Sequence, residues 1–236
     1  MTDNPAARGN RLLAKFPQQV MDRLRQHFHT VELRPGEVIL EARSIIEHAY
    51  FPLCGSLSAV TVMRNGDMVE VATIGKEGAV GLPVLAFPSE SPNRVLAQIP
   101  GEASRIEVAL LHREASSNLV LKRLFEAHQA AFIFQGSRSV ACNALHRLEQ
   151  RCCRWLLMSH DRVQGDELLL TQEFLSYMLG VRRPSVTDML NHLESRGLIS
   201  NARGKITIVD RAGMEAASCE CYGDVRDEYK LLLGEG

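Results

Sequence analysis

Two adjacent arginines, Arg182 and Arg183, stand in the stretch LSYMLGVRRPSVTDML just ahead of Pro184, Ser185 and Thr187. Fixed at the start of a helix, a guanidinium fork can donate two parallel hydrogen bonds to a guanine edge, and hydroxyls can reach a base or a phosphate. Holding them so requires two short helices joined by a sharp turn. Gly180 supplies a residue tolerant of positive φ, and Ser176, four residues earlier, is small enough for a second helix to cross. Leu175, Leu179, Val181, Val186 and Met189 fall at the positions such a pair buries. Thr171 is placed to cap the first helix, and Pro184 suits a first turn whose N–H has no partner. The spacing predicts a helix-turn-helix over 171–196. Beyond it, LIS and KITIV flank Asn201 to Gly204 as a hairpin, and Asp210 caps a last helix. In such a motif Arg182, Arg183, Ser185 and Thr187 meet base edges. Thr171 and Gln172, with Arg203 and Lys205 on the hairpin, touch phosphate.

Other reactive residues are weaker candidates. The cysteines are Cys54, Cys142, Cys152, Cys153, Cys219 and Cys221, with no C-x-x-C pair. Cys219-Glu-Cys221 offers two thiols, too few for a tetrahedral zinc shell, so reduced packing cysteines and no metal are expected. No Walker loop, H-E-x-x-H or G-x-S-x-G appears, so no enzyme is expected. The net charge of −1 excludes a protein that holds nucleic acid by bulk charge and leaves the task to a local patch.

The elements that must position the arginines change character along the 236 residues. Residues 1–11 are polar and read as a loose tail. Leu12 to Phe28 carries helical spacing for two short helices, with Pro17 at a first turn. From Thr30 to Leu111, β-branched runs are cut at Pro35-Gly36, Gly55, Asn65-Gly66, Gly75, Gly78, Gly81 and Pro100-Gly101, the rhythm of a β-sandwich or small barrel. Asn65-Gly66 is the clearest hairpin signal. From Asn118 to His160 only Gly136 interrupts helix-forming sequence, which suggests a long interface helix in one piece or two. A 3-4 alternation puts Leu124, His128, Ala131, Gln135, Arg138, Cys142 and Leu145 on one stripe as a dimer seam. No apolar run reaches membrane-spanning length and no signal-peptide core precedes Lys15, so a cytoplasmic protein without membrane contact is expected.

The helix-turn-helix, ending in LNHLESRGLI and followed by a two-stranded wing, resembles the DNA-binding domain of the Crp/Fnr superfamily of bacterial transcription regulators. LRPGEVILE, AYFPLCGSLSAVTV and EVATIGKEGAVGL are similar to that family's cyclic-nucleotide-binding-type β-roll, and the helix near 118–145 lies where its dimerisation helix lies. The resemblance covers nearly the whole chain in order. It implies an α+β fold with an N-terminal double-stranded β-helix (jelly-roll) sensor domain at 12–117. A dimerisation helix at 118–145 and a C-terminal winged helix-turn-helix domain at 146–236 follow. It further implies a homodimer on double-stranded DNA with a pseudo-palindromic operator, RNA polymerase as a partner, and an effector pocket near Gly81, Leu82, Arg94 and His128.

The departures from the family pattern are specific. The phosphate-binding turn that carries Gly-Glu in cyclic-nucleotide binders reads Val80-Gly81-Leu82, and the later Arg-Ser or Arg-Thr reads Arg94-Val95. The ribose acceptor and the phosphate's hydroxyl partner are both absent, so the effector is unknown and cAMP is not expected. An iron–sulfur sensor would need an N-terminal cysteine cluster, yet the first cysteine is Cys54. Haem through one of His27, His29, His48, His112, His128 and His146 is a minor alternative. In the reading helix Arg183 matches the family's guanine-reading arginine, while Pro184 replaces the usual Glu and Asp188 the second Arg. The other function class that fits is a ligand-binding or protein-interaction module whose helix-turn-helix serves for docking.

Overall fold

The computed structural model describes residues 9–82 and 89–234, so residues 1–8 of the expected tail lie outside it. Asn10 is already fixed: it is buried, and its amide donates to the carbonyls of Pro52 and Gly78, each at 2.9 Å. The apolar periodicity that follows gives a single turn at Leu13–Lys15 and then α1 (Gln18–Leu24), with Pro17 immediately ahead of it.

Five strands, β1 (His29–Leu33), β2 (Val38–Leu40), β3 (His48–Val62), β4 (Met68–Ile74) and β5 (Arg94–Glu107), form one antiparallel sheet. Its order is β1-β5-β3-β4, with β2 also paired to β5. Asn65-Gly66 turns the chain between β3 and β4, with Val62 opposite Met68. Gly55 and Pro100-Gly101 do not end strands, contrary to the turn reading. They lie inside β3 and β5, where the register slips at Pro52, Cys54 and Ser56. A Cβ on Gly101 would collide with the Cys54 carbonyl oxygen, so glycine is needed for the two backbones to pass this closely. The long strands therefore bend and continue.

Next come α2 (Val108–Ser117), α3 (Leu119–Leu145) and α4 (Leu148–His160). Asn118 caps α3 by accepting from the Leu121 N–H at 3.0 Å. The helical stretch is in two pieces, broken at His146 and Arg147, both extended. The 3-4 repeat has a different register from the one read in the sequence. His128, Ala131, Gln135 and Cys142 are buried inside this chain and Leu124 packs on its core, while Arg138 is half-buried and Leu145 exposed, so of that stripe only the C-terminal end is open to a partner. The exposed line is Leu119, Arg123, Glu126, Ala130, Ile133, Ser137, Val140 and Ala144, again spaced by four and three. Both faces are apolar enough to be buried, which is why spacing alone did not distinguish them.

The C-terminal part is β6 (Glu167–Leu168), α5 (Gln172–Leu179), α6 (Arg183–Ser195), β7 (Ile199–Ala202), β8 (Lys205–Ile208), α7 (Arg211–Ala217) and α8 (Cys221–Leu233), with a small sheet in the order β6-β8-β7. One apolar core joins Val60, Leu96 and Ala131 to Trp155, Leu175 and Leu190. Polar groups cross the same boundary. Trp155 Nε1 donates to Glu70 at 3.0 Å, Gln98 donates to Ser159 at 2.7 Å, and Arg162 Nε donates to Glu77 at 3.1 Å. Burial raises the Glu70 carboxyl above the usual carboxylate range, against the hydrogen bonds from Ser58 and Thr73. Among the described residues no helix is long and apolar enough to cross a membrane.

Candidate nucleic-acid interface

Gly180 ends α5 with φ +62°, and its N–H bonds back to the carbonyls of Ser176 and Tyr177. This left-handed cap turns the chain into α6 without the strain a side chain would bring. Thr171 caps α5, accepting from the Phe174 N–H at 3.1 Å. Ser176 is buried at the crossing, with Leu175, Leu179 and Val186 fully inside and Val181 and Met189 partly buried against the same core. Arg151 of α4 donates to the Leu179 carbonyl and so ties the turn to the domain. Sequence reasoning missed this contact because the two residues lie 28 positions apart.

On that frame Arg182 and Arg183 lie at the N-terminus of α6. Both are exposed, and neither side chain has a hydrogen bond or ion pair among the described residues. The half-exposed Thr187 donates to Gln172 Oε1 at 2.8 Å and to the Arg183 carbonyl at 3.3 Å. That bond links the starts of the two helices and leaves the Gln172 amide hydrogens free to donate. Ser185 is also half-exposed on the first turn. Among the described residues no acidic group stands in that turn, so the positive end of the helix dipole and two guanidinium groups coincide. Asp188, one turn on, is exposed and opposes the field.

The wing turns at Arg203 and Gly204, with Arg203 exposed and unpaired among the described residues. Lys205, also expected on phosphate, has its Nζ 2.7 Å from Glu167 Oε1 on β6, so part of its charge is already answered. The Asn201 N–H donates to Glu194 at 2.8 Å, which sets the wing beside the far end of α6.

The expected effector residues are only partly gathered. Gly81, Leu82 and His128 line a cavity of about 140 Å³ with Leu40, Val95 and Phe132. Arg94 is not among its walls. It turns to Glu41 at 2.9 Å, an ion pair at the end of β5. His128 Nε2 accepts from the Ala79 N–H at 3.2 Å, and burial lowers its pKa to about 4, so it is a neutral packed acceptor. Cys152 and Cys153 are fully buried in the main core, as packing residues are.

Residues 150–217 match the family model described as a Crp-like helix-turn-helix domain. The fold is similar to FixK2 from Bradyrhizobium japonicum at 16% identity and a TM-score of 0.70, covering 81% of this chain and 98% of that one. It is similar to a putative Crp/Fnr-family transcriptional regulator from Eubacterium rectale at 17% identity and 0.69, covering 87% and 96%. A third likeness is to the c-di-GMP-responsive regulator CLP of Xanthomonas campestris, at 14% and 0.63, covering 82% and 100%. No curated protein matches the chain by sequence. Residues 150–217 are thus similar to Crp-like helix-turn-helix domains, and the chain as a whole shares its fold with FixK2 and with the Crp/Fnr-family regulator from Eubacterium rectale.

Proposed function

We propose that this protein is a DNA-binding transcription regulator that acts as a homodimer on a pseudo-palindromic operator. The observation that carries the reading is the pair of exposed, unpaired arginines at the N-terminus of α6, on a helix-turn-helix locked by Gly180, Ser176 and Arg151. Arg183 reads a guanine edge by two parallel hydrogen bonds. Arg182, Ser185 and Thr187 complete the base contacts, while Thr171, Gln172 and Arg203 hold phosphates. Dimerisation uses the exposed line of α3, where Ile133 and Val140 leave 56% and 71% of their surface in solvent. RNA polymerase is the partner through which a bound dimer would act.

The β-sheet half senses a signal other than cAMP. Among the described residues the cavity under α3 is lined by no lysine or arginine and carries Glu90, which suits neither a phosphate nor its charge. Control passes through α3, which forms one wall of that cavity and adjoins α4 at the His146–Arg147 break. Selection of bound sequences from a random duplex library tests the reading. An enriched inverted repeat with half-sites about one helical turn apart is expected. Recovery of unselected sequence would overturn it.

A further inference from the structure

The geometry points to a mononuclear metal site, with zinc as its ion, formed by Cys142, His146, Cys219 and Cys221. Cys142 lies in the last turn of α3 and His146 at its end, while Cys219 and Cys221 lie where α7 passes into α8. One donor atom from each of the four falls within 4.8 Å of all the others. Cys142 and Cys219 sulfurs are 3.5 Å apart, and Cys221 Sγ is 3.8 Å from His146 Nδ1. With zinc–sulfur bonds of about 2.3 Å, a tetrahedral ion holds its sulfurs roughly 3.8 Å apart, so the side chains already stand at the spacing of a single ion. A multi-iron cluster would force them further apart. The C-x-C pair lacks two ligands in the sequence, and the end of α3, 77 residues away, supplies them.

Three further features fit the same reading. The other ring nitrogen of His146 faces Glu220 at 3.3 Å, the carboxylate arrangement that orients a metal-bound imidazole. The three cysteines are buried in a cluster of their own, separate from the apolar cores, so packing alone does not account for their meeting. Zinc with three thiolates and a neutral imidazole carries one negative charge. Arg154 is buried, acts electrostatically on Cys142 and Cys221, and has an Nε without a hydrogen-bond partner among the described residues. Binding would release the three thiol protons to solvent. The ion would pin α7 and α8 to the α3–α4 junction.

Zinc analysis and cobalt(II) titration of the full-length protein, purified under reducing and anaerobic conditions, test the site. One zinc per chain is expected, with cobalt giving intense tetrahedral visible bands and sulfur-to-metal charge transfer. Cys219→Ser and Cys221→Ser should lose both signals, and Cys54→Ser, at an exposed thiol outside the cluster, should keep them. The wild-type cobalt spectrum decides the matter if a variant fails to fold. A folded wild-type protein that binds neither ion, a pale octahedral cobalt spectrum, an iron–sulfur chromophore, or a Cys142–Cys219 disulfide in the anaerobic protein would overturn the assignment.

Discussion

On the proposed reading, Arg183 and Lys205 contribute differently at the level of single residues. Arg183 has no partner among the described residues, so Arg183→Ala removes base contacts without uncovering another charge. A loss of roughly 1–3 kcal/mol on the selected operator is expected, with relaxed discrimination at one base pair per half-site. Competition binding against operators varied at that position checks it, and an equal loss on random DNA would make Arg183 a phosphate clamp. Lys205→Ala should weaken all sequences alike and only slightly, because Glu167 already shares that charge. His128 gives the pH dependence. Its pKa falls from 6.5 to about 4 in the folded protein because it is buried, so below pH 6.5 the unfolded chain takes up a proton that the folded chain does not. Stability should therefore decline as pH falls from about 6.5 to about 4, by up to roughly 3 kcal/mol from this group. His128→Gln should flatten that part of a plot of denaturation midpoint against pH. An unchanged slope would mean that the ring is not held neutral.

At the level of elements, turn chemistry was legible wherever one residue decides the local backbone. Asn65-Gly66, Thr171, Gly180 and Pro184 each do in the structure what their types imply. Gly55 and Gly101 misled because glycine serves a bulge between crossing strands as readily as a turn, and only the pairing of β3 with β5 tells the two apart. The helix seam failed for a related reason. Small and apolar residues cover two faces of α3, one packed on its own chain and the other open, and a repeat of 3.5 fits both. The cysteine cluster was hidden because its halves come from separate elements. The seam yields a contrast: Ile133→Glu and Val140→Glu should give a folded monomer with weakened operator binding, whereas Ala131→Glu, placing a charge in the core, should unfold the protein. Sedimentation and circular dichroism separate the outcomes, and a dimer that survives both surface changes would remove α3 as the interface.

In the whole molecule, the β-sheet part and the helix-turn-helix part share one core. Trp155 on Glu70, Ser159 on Gln98 and, just past α4, Arg162 on Glu77 join this helix and its end to β4, β5 and the turn after β4, which on the proposed reading is the route by which a shift in the sheet reaches the helices that carry Arg182 and Arg183. Burial acts to raise the Glu77 carboxyl, and Arg162 with the Gly75 N–H outweighs it, leaving Glu77 below the usual range and the buried pair charged. On the proposed reading, two readers at a set spacing require two chains, because each half-site alone would be held by few contacts. The most direct measurement is the stoichiometry and salt dependence of binding to the selected operator beside a scrambled duplex of equal length. Two chains per operator, a linear fall of log affinity with log salt, and an affinity for the scrambled duplex lower by a factor of about 10³ or more are expected. One chain per duplex, or equal affinity for both duplexes, would contradict a homodimeric, sequence-reading regulator.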